Sequence, residues 1–200
     1  MKIILATHNI DKCRELQTAF IDTNIKILTL KDFPEIEEII EDGNTLEENA
    51  FIKSRTVFNL TKIPTISDDT GLLVDALNGS PGVYSARYSG ENSSYADNVN
   101  KLLLDMENID KKKRTATFKT VITYVSLDLE LVAEGSVKGT ITKKPFGDEG
   151  FGYDPIFYVL SHHKTFAEMS INEKNECSHR GQAITNLKQL FAKHRLLESD

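Results

Sequence analysis

Cysteine is scarce in this chain. Cys13 and Cys177 are its only two, and neither belongs to a C-x-x-C pair or a Cys/His cluster. A disulfide framework is thereby excluded and a zinc site is unsupported, so both thiols are expected to be packing residues in a reducing compartment. Long apolar runs are missing as well. The N-terminal Met1-Lys2-Ile3-Ile4-Leu5-Ala6 holds an apolar run of four, shorter than the roughly 7–15 residues of a signal-peptide core, and no window approaches a membrane span. The expectation is a cytoplasmic protein with no membrane partner. Positive charge is also in short supply: 24 Lys and Arg face 30 Asp and Glu, for a net charge of -6 and a pI near 5.4. Such a balance speaks against nucleic acid as a partner and leaves room only for a local basic pocket. Internal repeats, low-complexity tracts and linkers are absent too. Residues 1–200 are therefore expected to form one domain with a core large enough to need no staple.

What remains reads as mixed strands and helices. Ile3–Ala6 suits a short buried strand, Thr7-His8-Asn9 a loop, and Asp11–Phe20 a helix with Cys13, Leu16, Ala19 and Phe20 at helical spacing. A second strand over Ile25–Leu30 gives way to an acidic, irregular stretch, Lys31–Asn44, with six carboxylates between Asp32 and Asp42. Most of these are expected to be solvated. A helix is predicted from about Asn44, with Glu47 and Glu48 as capping partners for Asn44 and Thr45. Ile63–Ser67 reads as a short strand ending at Asp68-Asp69-Thr70-Gly71, and Gly79-Ser80-Pro81-Gly82 as a turn. Beyond it, Glu91–Met106 looks helical, Thr115–Val125 and Leu129–Thr142 form a long hairpin, Gly147–Asp154 is a glycine-rich loop, and a helix over Ser178–Lys193 closes the chain. The fold class is α/β or α+β with a mixed sheet.

Several clusters could carry chemistry. Adjacent carboxylates at a strand end, Asp68 and Asp69, repel each other unless a cation or proton intervenes. Mg²⁺ takes one or two carboxylates plus phosphates and water, and would relieve that repulsion; a solvated turn is the plain alternative. Thr7-x-Asn9-x-x-Lys12 lies on the first strand-to-helix turn, where backbone N–H groups and the helix dipole favour an anion, although Walker glycines are lacking and ordinary capping would explain the residues equally. Lys53 falls between Leu46 and Val57 in the apolar sector of its helix, where it either snorkels outward or serves a buried anion. Phe151-Gly152-Tyr153-Asp154 offers aromatic faces for a base on a loop that can approach a ligand closely, although glycine loops are equally common in plain hairpins. His179 and Arg180 stand at the helix end least favourable to cations, which suits an anionic or electron-rich partner or, more plainly, surface salt bridges. Together the groups are those that a Mg²⁺-nucleotide site needs.

Six segments occur in order: Leu5-Ala6-Thr7-x-Asn9-x-x-Lys12, Glu48-Asn49-Ala50-x-x-Lys53, Ser67–Gly71, Pro81-Gly82-Val83-Tyr84-Ser85-Ala86-Arg87-Tyr88, Gly150-Phe151-Gly152-Tyr153-Asp154-Pro155-Ile156-Phe157 and Ser178-His179-Arg180-Gly181-Gln182-Ala183. On these the chain resembles, over its whole length, the inosine triphosphate pyrophosphatase family, the XTP/dITP diphosphatases. The resemblance implies an elongated mixed central sheet flanked by helices, two lobes with the active-site cleft between them, a homodimer, and Mg²⁺-dependent hydrolysis of ITP, dITP and XTP to the monophosphate and pyrophosphate. Carried onto this chain, it implies that Thr7, His8, Asn9, Ile10, Asp11 and Lys12 hold the triphosphate. Glu41 and Asp69 would ligate the metal, with Asp69 also the base that activates water, and Lys53 would reach the phosphates. Thr70 would contact substrate, Phe151, Gly152, Tyr153, Asp154 and Lys174 would border the nucleoside, and His179 with Arg180 would read the base. Thr70 stands where serine is usual, and His8 where a small residue is common. Maf-like nucleotide pyrophosphatases and a non-catalytic nucleotide-binding regulator are the alternative readings; the Phe151–Asp154 and Ser178–Arg180 segments argue against the first, and the intact Glu41, Lys53, Asp68 and Asp69 against the second.

Overall fold

The computed structural model describes residues 1–197. Among them the chain forms β1 (Lys2–Leu5), α1 (Ile10–Ala19), β2 (Lys26–Thr29), α2 (Leu46–Thr61), β3 (Thr65–Val74), β4 (Pro81–Gly82), α3 (Tyr95–Asp105), β5 (Thr115–Val125), β6 (Glu130–Ile141), β7 (Phe157–Val159), β8 (Lys164–Thr165), α4 (Ile171–Cys177) and α5 (His179–Lys193). The strands make one eight-stranded sheet in the order β2-β1-β3-β5-β6-β7-β8, with β4 paired to β3. Parallel pairing joins β1 to β2 and to β3, with α1 and α2 in the crossovers. Antiparallel pairing joins β3 to β4, β6 to β7 and β7 to β8. The link from Val125 to Glu130 is too short for a crossover, so β5 and β6 form the expected hairpin. The expected mixed sheet is thus observed.

Boundaries differ where capping or burial overrides the pattern. The strand expected to end at Ser67 runs on to Val74, because Leu72 and Val74 are buried and extend the alternation past the carboxylates. At the third helix, Ser94 Oγ accepts from Asp97 N while the Asp97 carboxylate accepts from Ser94 N, a capping box that starts α3 at Tyr95 rather than Glu91. For α2, Glu48 accepts from both Asn44 N (2.6 Å) and Thr45 N (3.2 Å), so the role shared out to Glu47 and Glu48 falls to Glu48. Helix α4 and the short strands β4, β7 and β8 were not foreseen, being too brief to show a period.

By internal contacts the chain divides into two compact units. The first comprises residues 1–69, 120–135 and 182–197. Its strand β1 is buried on both faces, as a continuous apolar run requires: Ile3 and Leu5 join Leu16, Phe20, Ile122, Tyr124, Leu187 and Phe191, while Ile4 and Ala6 join Leu30, Ile36 and Val57. At helical spacing Ala183, Ile184, Leu187, Leu190 and Phe191 line the inward face of α5, and Phe191 packs edge-on against Tyr124 at 4.9 Å. Within the acidic stretch Ile36 is a buried anchor, Asp32, Glu35, Glu37, Glu38 and Asp42 are exposed, and Glu41 is half-buried.

The second unit comprises residues 70–119 and 136–181. Leu72, Val74, Val99, Leu102, Met106, Phe118, Ile156, Phe157 and Phe166 form its core. Arg114 is buried there and is satisfied by carbonyls, with Nε donating to Ile141 O and Nη2 to Thr142 O, each at 2.8 Å. Burial lowers its pKa. Among the described residues neither cysteine forms a disulfide; Cys13 packs against a core cluster of the first unit and Cys177 against one of the second. Among the described residues no helix is long and apolar enough to cross a membrane.

Candidate active site

Strand periodicity decides what the adjacent carboxylates do. Because Asp68 and Asp69 lie mid-strand rather than at a strand end, successive side chains leave opposite faces of the sheet. Each then meets its own lysine. Lys12 Nζ, from α1, lies 3.3 Å from Asp68 Oδ1. Lys53 Nζ, from α2, lies 3.5 Å from Asp69 Oδ1 and 2.6 Å from Glu41 Oε2. Lys53 is only 7% exposed, so it does not snorkel outward. The helix accommodates it beside a polar seam in which Ser54 Oγ and Thr123 Oγ1 are 2.8 Å apart and Ser67 Oγ donates to Ala50 O.

The electrostatics of this cluster are opposed terms. Burial raises the Asp69 pKa, against which Lys53 and then Lys12 pull down, while Glu41 and Asp68 push up; the net shift is upward. Burial would lower the Lys53 pKa, but Asp69 and Glu41 outweigh it and hold it above its usual value. Asp69 Oδ2 is buried and has no hydrogen-bond partner among the described residues. A buried carboxylate oxygen left in this state is costly unless something cationic or a proton donor meets it. Glu41 and Asp69, both turned toward Lys53, are the oxygen donors available to a hard divalent cation. No group of three or more His, Cys, Asp or Glu side chains gathers at a metal-binding spacing among the described residues.

In the loop before α1, capping and cradling compete for the same N–H groups. Asn9 Oδ1 accepts from Asp11 N at 3.0 Å and Lys12 N at 3.1 Å, and Thr7 Oγ1 accepts from Asn9 N at 3.2 Å. Thr7 and Asn9 therefore act as local caps, which also fixes the loop. His8 and Ile10 are exposed, and Asp11 is half-buried.

The remaining expected residues belong to the second unit. Asp154 Oδ2 accepts from Phe151 N at 2.8 Å and from Lys174 Nζ at 2.7 Å, closing the glycine loop over a buried ion pair. A Cβ at Gly150, whose φ is +74°, would collide with the Asp154 carboxylate, so this turn requires glycine. Phe151 is half-buried, with Lys174 Nζ 4.6 Å and Arg180 Cζ 5.5 Å from its ring centroid. Tyr153, by contrast, is a core residue: its hydroxyl donates to Ser85 O at 2.9 Å, so its ring face is not offered to a ligand. Arg180 Nη2 donates to Thr70 Oγ1 at 3.1 Å, and the His179 ring stacks on Phe118. His179 and Arg180 are each 2% exposed, which removes the surface salt-bridge reading. Ser178 caps α5 by accepting from Gly181 N at 3.0 Å, and a Cβ at Gly181 would strike the Asn175 carbonyl.

The expected residues thus fall into two groups, one in each unit, and three residues that sequence reasoning did not single out support the second. Ser85 lies within a recognised segment without a role, Tyr95 contacts the Phe151 ring at 5.8 Å, and Phe118 looks like any strand aromatic.

A sequence profile described as the Ham1 family matches residues 3–190. A dITP/XTP pyrophosphatase of Thermoanaerobacter pseudethanolicus is 47% identical over 96% of this chain and 98% of its own length. One from Shouchella clausii is also 47% identical, over 94% and 95%. Among solved structures, a HAM1 protein from Coxiella burnetii superposes with a TM-score of 0.89 at 40% identity, covering 96% of this chain and 99% of that one. The Staphylococcus aureus Ham1 protein gives 0.86 at 39% identity, covering 98% and 100%.

Proposed function

This chain belongs to the Ham1 family, and on that premise we propose that it is a nucleoside triphosphate pyrophosphatase acting on non-standard purine nucleotides. It hydrolyses ITP, dITP and XTP to the monophosphate and pyrophosphate. The observation that carries the reading is Lys53 buried between Glu41 and Asp69 with Asp69 Oδ2 unpartnered. That oxygen, facing the same lysine-bearing cluster as Glu41, is a donor available to a divalent cation or to the attacking water. Glu41 and Asp69 would hold Mg²⁺, which when bound neutralises triphosphate charge and acidifies the attacking water.

The chain's own groups supply the rest. The Asp69 carboxylate, lifted in pKa by burial, takes the proton of the water that attacks the α-phosphorus. Lys53 and Lys12 place positive charge where the phosphoryl oxygens gain charge, and the loop Thr7–Lys12 orients the triphosphate. Asp68 holds Lys12 in position. Within the second unit Phe151 presents its ring to the base, Lys174 and Asp154 lock its loop, and His179 and Arg180 read the purine edge. Residues 1–200 act as one domain, in a homodimer, in the cytoplasm; two cysteines that form no disulfide among the described residues accord with a reducing compartment.

Hypoxanthine and xanthine present a 6-oxo acceptor where adenine presents a 6-amino donor. A fixed donor in the pocket therefore rejects ATP by on the order of 10–100-fold. The test is kcat/KM for ITP, dITP, XTP, GTP and ATP with Mg²⁺, scoring pyrophosphate and phosphate separately. Pyrophosphate release favouring ITP, dITP and XTP is expected. Equal efficiency on ATP, or phosphate as the primary product, overturns the reading.

A further inference from the structure

We propose that Phe118 is a positioning residue for base selection, its ring face setting the plane of the His179 imidazole. The proposal rests on the reading of His179 as a base-recognising group. The two rings are parallel within 3°, with centroids 4.2 Å apart, and both are buried, Phe118 at 5% exposure. Phe166 meets the imidazole from another side at 5.8 Å and 52°.

Phe118 is suited to such a role because its own ring is packed on several sides. It sits within β5 and meets Phe157 edge-on at 5.0 Å, Phe166 at 6.3 Å and Tyr153 at 6.5 Å. Tyr153 is in turn tied by its hydroxyl to the Ser85 carbonyl, and Ser85 Oγ accepts from Leu72 N at 2.9 Å. A chain of ring contacts and hydrogen bonds thus runs from Leu72 in β3 through Ser85, Tyr153 and Phe118 to His179, the first residue of α5. The chemistry follows from ring geometry. Stacking engages the face of an imidazole and leaves hydrogen bonding to its edge, where both nitrogens lie. A ring held flat against Phe118 can aim an edge N–H in one plane only. Discrimination between a 6-oxo acceptor and a 6-amino donor depends on that direction, since a swivelling ring could turn toward either purine.

Phe118→Leu keeps an apolar side chain and removes the flat face. We expect KM for ITP to rise and the ITP-to-ATP ratio of kcat/KM to fall about tenfold, with kcat on ITP within about twofold. A merely structural role would not pass through His179, so the same substitution is made in a His179→Gln background. There it should produce no further loss of selectivity. The wild-type protein supplies a readout independent of any variant's folding: the His179 ring protons should show the upfield NMR shift of a stacked ring, moving back toward free-histidine values in Phe118→Leu. Absence of that shift in the wild type overturns the proposal, as does a folded Phe118→Leu protein with unchanged selectivity or an additive loss in the double variant. Should Phe118→Leu not fold, Phe118→Met is read by the same criteria. A wild-type enzyme that does not prefer ITP to ATP overturns the functional reading itself, whereas a selective wild type with an equally selective Phe118→Leu protein overturns this inference alone.

Discussion

Replacing Lys53 by methionine takes one charge out of the interior at nearly constant side-chain length. Glu41 and Asp69, at 2.6 and 3.5 Å from the ammonium, lose their shared cation. With an effective dielectric of about 20, a unit pair at these distances is worth roughly 5–6 kcal/mol. Two corrections reduce that figure. Methionine no longer bears the desolvation of a buried ammonium, and Glu41, with 29% of its side chain exposed, is partly screened by water. The net cost is about 3 kcal/mol, the low end for breaking a buried pair. At roughly 2–4 °C per kcal/mol in a chain of this size, the melting temperature should fall by about 6–12 °C at neutral pH.

The pH dependence carries the sharper test. Asp69 already has a folded pKa raised by burial above the ordinary aspartate value of 3.8, and losing Lys53 removes the strongest group pulling it down. With the folded value above the unfolded one, the native state binds more protons in the window between them, so stability falls as pH rises through it. The deficit of Lys53→Met should therefore be smallest near pH 4, grow as pH rises through the raised folded value of Asp69, and then level off. The wild-type lysine contributes in the opposite range. Its folded pKa lies above 10.5, so its stabilisation is complete below about that pH and is lost as pH rises through the folded value. Thermal melts by circular dichroism from pH 4 to pH 8, with pyrophosphate release from ITP measured beside them, would decide. Equal melting temperatures throughout would mean that water screens these charges, and a deficit indifferent to pH would mean that packing was lost instead.

Asp69→Asn should abolish pyrophosphate release from ITP while leaving the melting temperature within a few degrees, because Lys53 keeps Glu41 at 2.6 Å and a carboxylate disfavoured by burial is removed; turnover in the folded variant would refute the role of Asp69. Arg55→Ala is the complementary case: although its guanidinium meets Glu130 at 2.6 and 2.9 Å, both side chains are about half exposed, so the loss should stay below about 1 kcal/mol, shrink with salt, and leave kcat/KM unchanged. A large fall in turnover there would place Arg55 in the machinery.

Elements defined by long apolar patterns were legible in the sequence. The unbroken apolar run Ile3–Ala6 reads as a buried strand, and Ala183, Ile184, Leu187, Leu190 and Phe191 as the inner face of a helix. The short strands β4, β7 and β8, of two or three residues, and α4, of seven, repeat their period about twice at most, too few times for a pattern to show. Phe118 was hidden differently. An aromatic in an apolar strand is nearly always core, and so is this one; what sets it apart is the imidazole lying flat on it, brought there from a helix far along the chain.

The site itself shows why proximity in sequence is a poor guide to electrostatic coupling. Asp68 and Asp69 looked like a pair in need of one cation, yet the two-residue repeat of a strand sends them to different lysines on different helices. Glu41 and Lys53, twelve positions apart, are the groups in direct contact. Their pairing depends on two facts that act together: a helix whose cap fixes its start at Leu46, so that Lys53 falls on the inward face, and an acidic loop pinned by Ile36, so that Glu41 alone among its carboxylates turns out of solvent. The cap and the lysine's angular position were readable from residue spacing. Which of six neighbouring carboxylates would meet that lysine was not, because a loop has no period to read, and only the resemblance singled out Glu41 in advance.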